Sequence, residues 1–230
     1  MDRLHRIRKL MGDAAIARLQ DACVMVVGCG AVGSFAIEAL ARSGIGHLIL
    51  IDSDTVEETN INRQLFALMS TVGLAKVDVA AARVRDINPD IRVDAIQTFF
   101  DENTRLDVRP DYIIDAIDTV ESKIALARFA QHNNIPIIAS MGAARKTDLG
   151  AIRIARLSRT SVCPLAARMR KMARAAGLRD YDVVFSTQPA APDTADGRVF
   201  GSIVTVTGAF GLYLANVVIG RLTQTDTIKQ

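Results

Sequence analysis

The first 140 residues alternate short apolar runs with segments of helical periodicity. Apolar runs of strand length cover residues 23–27, 48–51, 91–97, 112–116 and 136–140. The periodicity predicts helices from Gly33 to about Gly44, near residues 72–86 and near residues 120–132. Strands that alternate with helices are typical of βαβ units, so we expect an α/β fold with a doubly wound, mostly parallel, Rossmann-like sheet.

The pattern changes after residue 150 to short strands, a basic helix that Pro164 can open and Gly177 can end, and a Pro-containing loop at 188–198. We expect this part to form a C-terminal α+β extension of one domain that spans residues 1–230. Its nucleotide-binding half covers about 20–142, and its substrate-facing half covers about 143–230. A chain of 230 residues that is 50% hydrophobic can bury one sizeable core.

The last apolar segment, residues 203–220, carries no charge and reaches the length of a marginal membrane span. Thr205, Thr207 and Asn216, together with three glycines, lower its hydropathy. We therefore expect a helix buried in the protein, with peripheral membrane association as the less favoured alternative.

The sequence VGCGAVG follows the first apolar run and opens the first predicted helix. Gly28, Gly30 and Gly33 in it fit the pattern G-x-G-x-x-G. The first two glycines allow a tight turn and a close approach of the backbone to phosphate, and the third lets the helix pack on the strand. The N-terminus of the helix supplies unpaired N–H groups, so this loop predicts a phosphate site.

Charged residues after the glycine loop narrow the choice of nucleotide. Asp52 lies 19 residues beyond Gly33, where an acid can accept hydrogen bonds from ribose hydroxyls in ATP or in NAD. Arg63 and Lys76 follow, with Asn60, Asn62 and Gln64 as neutral donors, and this set suits a triphosphate better than a dinucleotide. We assign to nucleotide binding Gly28, Gly30, Gly33, Asp52, Asp54, Asn60, Arg63, Gln64 and Lys76.

A carboxylate that attacks the α-phosphate of ATP needs cations on the departing pyrophosphate, normally with magnesium. Asp118, in the sequence YIIDAIDT after a predicted buried strand, is the candidate Mg²⁺ ligand, since hard cations prefer carboxylate oxygen. Asp115 is the competing candidate. The predicted catalytic set therefore contains Arg63, Lys76 and Asp118, with ATP and Mg²⁺ as cofactors.

Positive charge is concentrated in one stretch of the chain, although the net charge is only +3. The segment from Ala143 to Asp180 contains ten basic and two acidic residues, so it carries a net charge of +8 and the remainder of the chain −5. On the predicted helix within it, the polar face presents Arg168, Arg170, Lys171 and Arg174. Such a surface suits the phosphate backbone of a nucleic acid through counterion release; the alternative is an ordinary solvated helix face.

The three cysteines, Cys23, Cys29 and Cys163, form no C-x-x-C pair. Their spacing cannot build a tetrahedral zinc site, so we expect no structural zinc. Their small, odd number without a signal peptide favours the reducing cytoplasm.

Taken together, these segments resemble the adenylating enzymes related to ubiquitin-activating enzyme, which include those that adenylate molybdopterin and thiamine sulfur carriers. The resemblance is carried by RLHR at 3–6, GCGAVG, DSD, NINRQ, VGLAK, INP, DAIDTVESK and SMGA at 140–143. Within that superfamily, EALARSGIG, CPLAARMRK and VVFST look most like the tRNA threonylcarbamoyladenosine dehydratases.

The resemblance implies an ATP-dependent cyclisation of threonylcarbamoyladenosine in tRNA. The threonyl carboxylate is adenylated, and an oxygen of the neighbouring ureido group then closes a ring and expels AMP. It also implies a homodimer in which Arg6 of the RLHR sequence reaches the ATP phosphates of the other subunit. With tRNA as the partner, the basic helix becomes the expected tRNA-binding surface.

Two other functions stay open at this point. Adenylation of a ubiquitin-like sulfur carrier is disfavoured by the missing zinc cysteines. A NAD-binding oxidoreductase or regulator is disfavoured by Arg63, Lys76 and Asp118. A partner protein for sulfur transfer is a further alternative, although residues 186–230 contain no thiol for a sulfur relay.

Overall fold

The protein is built on one seven-stranded sheet with strand order β3-β2-β1-β4-β5-β7-β6. This computed structural model describes residues 2–106, 108–192 and 200–223. All neighbouring strands pair in parallel except β6, which is antiparallel to β7. The strands are β1 Cys23–Val27, β2 His47–Ile51, β3 Arg92–Ile96, β4 Tyr112–Asp115, β5 Ile137–Ser140, β6 Ile152–Arg156 and β7 Asp182–Ser186. The predicted doubly wound, mostly parallel α/β sheet is confirmed.

Helices cover both faces of the sheet. They are α1 His5–Met11, α2 Asp13–Asp21, α3 Gly33–Ser43, α4 Lys76–Ile87, α5 Val120–His132, α6 Pro164–Ala175 and α7 Val204–Thr223. Helices α2, α3, α4 and α7 pack on one face, whereas α5 and α6 pack on the other. The protein has one hydrophobic core on each face of the sheet, and successive strand residues point into them alternately. Val24 and Val26 lie in the first core, on the side of α3 and α7, and Met25 and Val27 lie in the second. This arrangement explains why the central strands are continuous apolar runs.

One helix begins later than predicted, and another begins and ends as predicted at Pro164 and just before Gly177. Helix α4 begins at Lys76 instead of near residue 72, because Gly73 has a φ of +88° and Ala75 is extended. Helix α6 ends at Ala175, and Gly177 follows with a φ of +68°, a backbone conformation that favours glycine. Residues 193–198 of the predicted Pro-containing loop lie outside the described residues.

Helix α7 packs lengthwise against α3 and α2. It is long and apolar enough to cross a membrane by length and composition. Its inner face is nevertheless inside the protein core, since Val206, Phe210, Leu214 and Val218 are all fully buried. A Cβ atom built on Gly211 would lie 2.2 Å from the carbonyl oxygen of Val32, the residue that precedes α3. The absence of a side chain at Gly211 therefore lets α7 rest directly against the start of α3.

Two glycines of α7 give a matched test of this contact. We expect Gly211→Ala to destabilise the protein by about 2–3 kcal/mol, because the added methyl group meets backbone that cannot move aside. Gly220→Ala has nothing within 4 Å of the added Cβ, and we expect it to stabilise the helix by up to about 1 kcal/mol. Urea unfolding measures both values. Equal stability of the two variants would contradict the proposed close contact.

Candidate active site

The carboxyl ends of three neighbouring strands meet at one edge of the sheet. Val27, the last residue of β1, is in register with Ile51 at the end of β2 and with Asp115 at the end of β4. The segments that follow these strands are the glycine loop, the sequence from Asp52 onward, and the turn that leads to Asp118. Ligands of open α/β sheets bind at this edge, where the strand order reverses between β1 and β4.

The glycine loop is folded tightly at its first and third glycines. Gly28 has a φ of +94°, and a Cβ atom built on it would lie 2.7 Å from the carbonyl oxygen of Ala116. A Cβ atom on Gly33 would lie 1.7 Å from the carbonyl oxygen of Gly28. Between them, within the described residues, the amides of Gly30, Ala31 and Val32 donate no hydrogen bond. These amides precede the N-terminus of α3, so the loop offers a phosphate several N–H donors.

Asp52 lies directly beneath the loop. Its two carboxylate oxygens accept hydrogen bonds from the amide of Cys29 at 2.7 Å and from the amide of Asp54 at 2.9 Å. Burial raises the pKa of Asp52, and the two amide hydrogen bonds oppose that shift. Each oxygen keeps a further lone pair, which can accept a hydrogen bond from a hydroxyl group.

Lys76 is held by Asp54. Its Nζ lies 2.7 Å from Asp54 Oδ2, and the Lys76 side chain is only 10% exposed. The hydrogen bond from Lys76 is the main reason that the pKa of Asp54 is lowered. Asp54 was predicted to contact the nucleotide directly, whereas its carboxylate is bonded to Lys76. Asp54 therefore positions the ammonium group at the first turn of α4.

The segment from residue 57 to residue 65 brings further polar groups to the loop. Arg63 is half-buried and donates to the carbonyl oxygen of Thr59 at 2.7 Å and to Asn62 Oδ1 at 2.9 Å. Gln64 is buried with its amide nitrogen beside Gly30. The side-chain oxygen of Asn60 accepts from the amide of Glu57 at 3.2 Å. Asn60 thus shapes this segment, Gln64 reaches the glycine loop, and Arg63 is bonded within the segment itself.

The two candidate Mg²⁺ ligands have opposite surroundings. Asp118 is exposed at the ligand edge. Asp115 is fully buried, and its Oδ1 lies 2.9 Å from Nζ of Lys123, which is also fully buried. Burial raises the pKa of Asp115, and the charge of Lys123 opposes that shift. An acid that is enclosed and already paired cannot take a hydrated cation, so the structure favours Asp118 over Asp115.

Lys123 is not among the site residues predicted from the sequence. The signal was present, because Lys123 lies on the face of α5 that also carries Val120, Ile124 and Ala127, all of them buried. A lysine in an apolar helical stripe needs a buried partner. The partner could not be identified from spacing, since it lies on a different element.

The four basic residues predicted on one face of α6 do not form a uniform surface. Arg168 makes an ion pair with Glu121 at 2.8 Å. Arg170 is half-buried and donates to the carbonyl oxygen of Thr160 at 2.9 Å and to its hydroxyl group. The side chains of Lys171 and Arg174 are exposed and make no hydrogen bond or ion pair in the part of the chain that the structure describes.

Helix α6 starts close to the ligand edge. A Cβ atom built on Gly142, two residues beyond the end of β5, would lie 3.5 Å from Sγ of Cys163, the residue before α6. The basic helix therefore begins beside the carboxyl end of β5 and runs away from it along α5.

Arg6 lies at the other end of the molecule. The neighbouring residue Leu4 packs against Gly44, which follows the C-terminus of α3, and Arg3 donates to Asn88 beyond the end of α4. The glycine loop is at the N-terminus of the 11-residue helix α3, about 16 Å from its C-terminal end. Within its own chain, Arg6 is therefore not brought to the predicted phosphate site.

Metal ligands and thiols are sparse. Among residues 2–106, 108–192 and 200–223, no three His, Cys, Asp or Glu residues cluster as a metal site. Cys23, Cys29 and Cys163 are all buried and unpaired. A Mg²⁺ ion at Asp118 would have to take its other ligands from phosphate oxygens and water, which is the usual arrangement for this ion.

Comparison with known proteins gives consistent results over nearly the whole chain. The model of the ThiF family matches residues 2–230. The chain is 46% identical over 182 residues to the tRNA threonylcarbamoyladenosine dehydratase of Bacillus subtilis, covering 77% of this chain and 72% of that protein.

Solved structures agree with the sequence comparison. The Escherichia coli tRNA N6-threonylcarbamoyladenosine dehydratase in complex with AMP superposes with a TM-score of 0.90 at 38% identity, covering 96% of this chain and 93% of that one. The same enzyme in complex with ATP gives a TM-score of 0.89 at 37% identity with the same coverage. The chain therefore belongs to the ThiF family and is similar to the tRNA threonylcarbamoyladenosine dehydratases of that family.

Proposed function

We propose that this protein is an ATP-dependent dehydratase that cyclises threonylcarbamoyladenosine in tRNA. The observation that carries the proposal is the convergence of a glycine loop with free amides, Lys76 held by Asp54 and exposed Asp118 at one edge of the sheet. Arg63 immediately precedes Gln64, whose amide nitrogen lies beside Gly30 of the loop. This set matches what a carboxylate-adenylating site needs. Its similarity to the E. coli enzyme solved with ATP and with AMP supports the choice of nucleotide.

Each group has a role that follows from its position. The amides of the glycine loop and the N-terminus of α3 bind phosphate, and Asp52 accepts hydrogen bonds from the ribose. Lys76 and Arg63 stabilise the charge that develops when pyrophosphate leaves the α-phosphate. Asp118 is free to bind Mg²⁺, and a bound ion would neutralise charge on the phosphate oxygens.

The reaction consists of two displacements. An oxygen of the threonyl carboxylate attacks the α-phosphorus, and pyrophosphate departs. The ureido oxygen then attacks the acyl carbon, AMP departs, and the ureido nitrogen loses a proton. Both nucleophiles belong to the substrate, so the buried thiols of Cys23, Cys29 and Cys163 need no role, and a partner for sulfur transfer is not part of the proposal.

A homodimer belongs to the proposal because one chain leaves Arg6 distant from its own glycine loop. A second copy that presents its Arg6 to this loop would add a guanidinium to the phosphate site. Apolar side chains that such a contact would cover are exposed between Gln64 and Lys76 in the chain and on α7, at Leu68, Met69, Val72, Leu74, Leu212 and Tyr213. A cytoplasmic reaction is also proposed, because tRNA is the substrate and all three thiols are unpaired.

The substrate assignment is tested with tRNA that carries threonylcarbamoyladenosine. Incubated with the protein, ATP and Mg²⁺, it should yield AMP, pyrophosphate and a nucleoside lighter by one water, measured by mass spectrometry of the digested tRNA. Unmodified tRNA is the control and should release no AMP. Consumption of ATP with a ubiquitin-like carrier protein instead of tRNA would show that the assigned substrate is wrong.

Mixed dimers test the role of Arg6. Arg6→Ala and Lys76→Ala should each be nearly inactive alone. In an equimolar mixture after subunit exchange, half of the dimers pair the two variants, and one site in each carries both intact residues, so activity should recover to about a quarter of wild type. If Arg6 acted within its own chain, mixing would give no recovery beyond the mean of the two variants.

The two exposed cations of α6 should bind tRNA phosphate. We expect Lys171→Ala/Arg174→Ala to weaken tRNA binding and to reduce the slope of log K against log salt concentration by about 2, one for each lost phosphate contact. Lys9→Ala/Arg85→Ala removes the same charge from exposed positions on α1 and α4 and serves as the control. An unchanged slope in the α6 variant would place the RNA elsewhere.

A further inference from the structure

We propose that Lys123 is a positioning residue for the metal ligand Asp118, and that it acts through Asp115. The inference deepens the proposed function, because it rests on ATP and Mg²⁺ binding at the carboxyl edge of the sheet. It concerns a buried ion pair to which the reaction itself assigns no role.

The pair controls the turn that leads to Asp118. Oδ1 of Asp115 accepts two hydrogen bonds, one from Nζ of Lys123 at 2.9 Å and one from the amide of Ile117 at 3.0 Å. Ile117 immediately precedes Asp118 in the chain. The other oxygen, Oδ2, is buried and has no partner among the described residues. Within the described residues, Oδ1 therefore makes all the hydrogen bonds of this carboxylate, including the one from the Ile117 amide.

Both ends of the turn are anchored to rigid elements. Asp115 is the last residue of β4, paired in register with Val27 of β1 and with Ala139 of β5. Lys123 lies in the first turns of α5, where its amide donates to the carbonyl oxygen of Thr119 at 3.1 Å. The Lys123 ammonium thus links the start of α5 to the end of β4 across the loop that carries Asp118. Without this link, the segment from Ile117 to Thr119, in which Asp118 and Thr119 are exposed, has one side-chain anchor fewer.

Stability alone is a weak explanation for this pair. Lys123 and Asp115 are both 0% exposed, and the desolvation of two fully buried charges offsets most or all of their attraction. Replacing such a pair with apolar side chains of similar volume is often neutral for stability. What an apolar pair cannot supply is a directed hydrogen bond to the Ile117 amide, so the pair has a geometric consequence for the neighbouring ligand.

Two double variants separate positioning from folding, because neither leaves a lone buried charge. Asp115→Leu/Lys123→Met removes both charges and the acceptor for the Ile117 amide. Asp115→Asn/Lys123→Met removes both charges but keeps a side-chain oxygen that can accept from that amide. Three quantities are measured on the full chain. They are the free energy of urea unfolding without ligand, the affinity for AMP without metal, and the Mg²⁺ concentration at which ATP binding, followed by calorimetry, reaches half of its maximum. Asp118→Asn shows the effect of losing the ligand itself.

For Asp115→Leu/Lys123→Met we expect a Mg²⁺ requirement about 10- to 100-fold higher, the usual effect of removing an outer-shell partner of a metal ligand. AMP binding should stay within about threefold of wild type, as in Asp118→Asn. For Asp115→Asn/Lys123→Met the Mg²⁺ requirement should rise by a smaller factor, at least about threefold. This second variant decides the question on its own if the first one does not fold.

Three results would overturn the proposal. The first is a folded variant with the Mg²⁺ dependence of wild type. The second is a loss of AMP binding as large as the loss of Mg²⁺ affinity, since the damaged element would then be the glycine loop. The third is an ATP affinity of the wild-type protein that is the same with and without Mg²⁺. None of these measurements uses tRNA, so failure of the tRNA substrate assay would reject the proposed function and leave this inference standing.

Discussion

The register of three parallel strands is the constraint on which the rest of the site depends. Val27, Ile51 and Asp115 lie side by side at the ends of β1, β2 and β4. A shift of one residue in any pairing would move its apolar side chains into the opposite core, so burial on both faces fixes the register. The register therefore determines which of the segments that follow these strands are in contact. The glycine loop packs against the Ala116 carbonyl, and the amide of Cys29 donates to the carboxylate of Asp52.

Two lysine–aspartate pairs flank this edge, and their burial gives them different roles. Lys76 is bonded to Asp54, whose side chain is 62% exposed, so water or a ligand can replace the carboxylate without a large desolvation penalty. Lys123 and Asp115 are wholly enclosed, so neither can exchange its partner for a ligand. Under the proposed function, the first pair supplies a cation for phosphate, and the second is the proposed anchor of the backbone that carries Asp118.

The parts of the fold and site that depend on local pattern could be predicted from the sequence. Strand-length apolar runs located the five strands up to residue 140, and the glycine spacing located the start of α3, because period and turn chemistry are encoded in neighbouring residues. Partners between distant elements were not predicted. Lys76 with Asp54 and Arg170 with Thr160 are examples, since a helical projection shows which face a side chain occupies but not which loop lies opposite.

The position of Arg6 shows the same limit. The family resemblance of the RLHR sequence, which ends at Arg6, implied a phosphate contact, but α3 separates the N-terminal segment from the glycine loop by its whole length. No rotamer of a single arginine spans such a distance, so a phosphate contact by Arg6 requires a second chain. The chemistry agrees with this division: both nucleophiles come from the substrate, and the protein has only to hold charges in fixed places. A cation supplied by a neighbouring subunit suits a site of that kind, because the partner's fold has already fixed its backbone position and less entropy is lost when it binds phosphate.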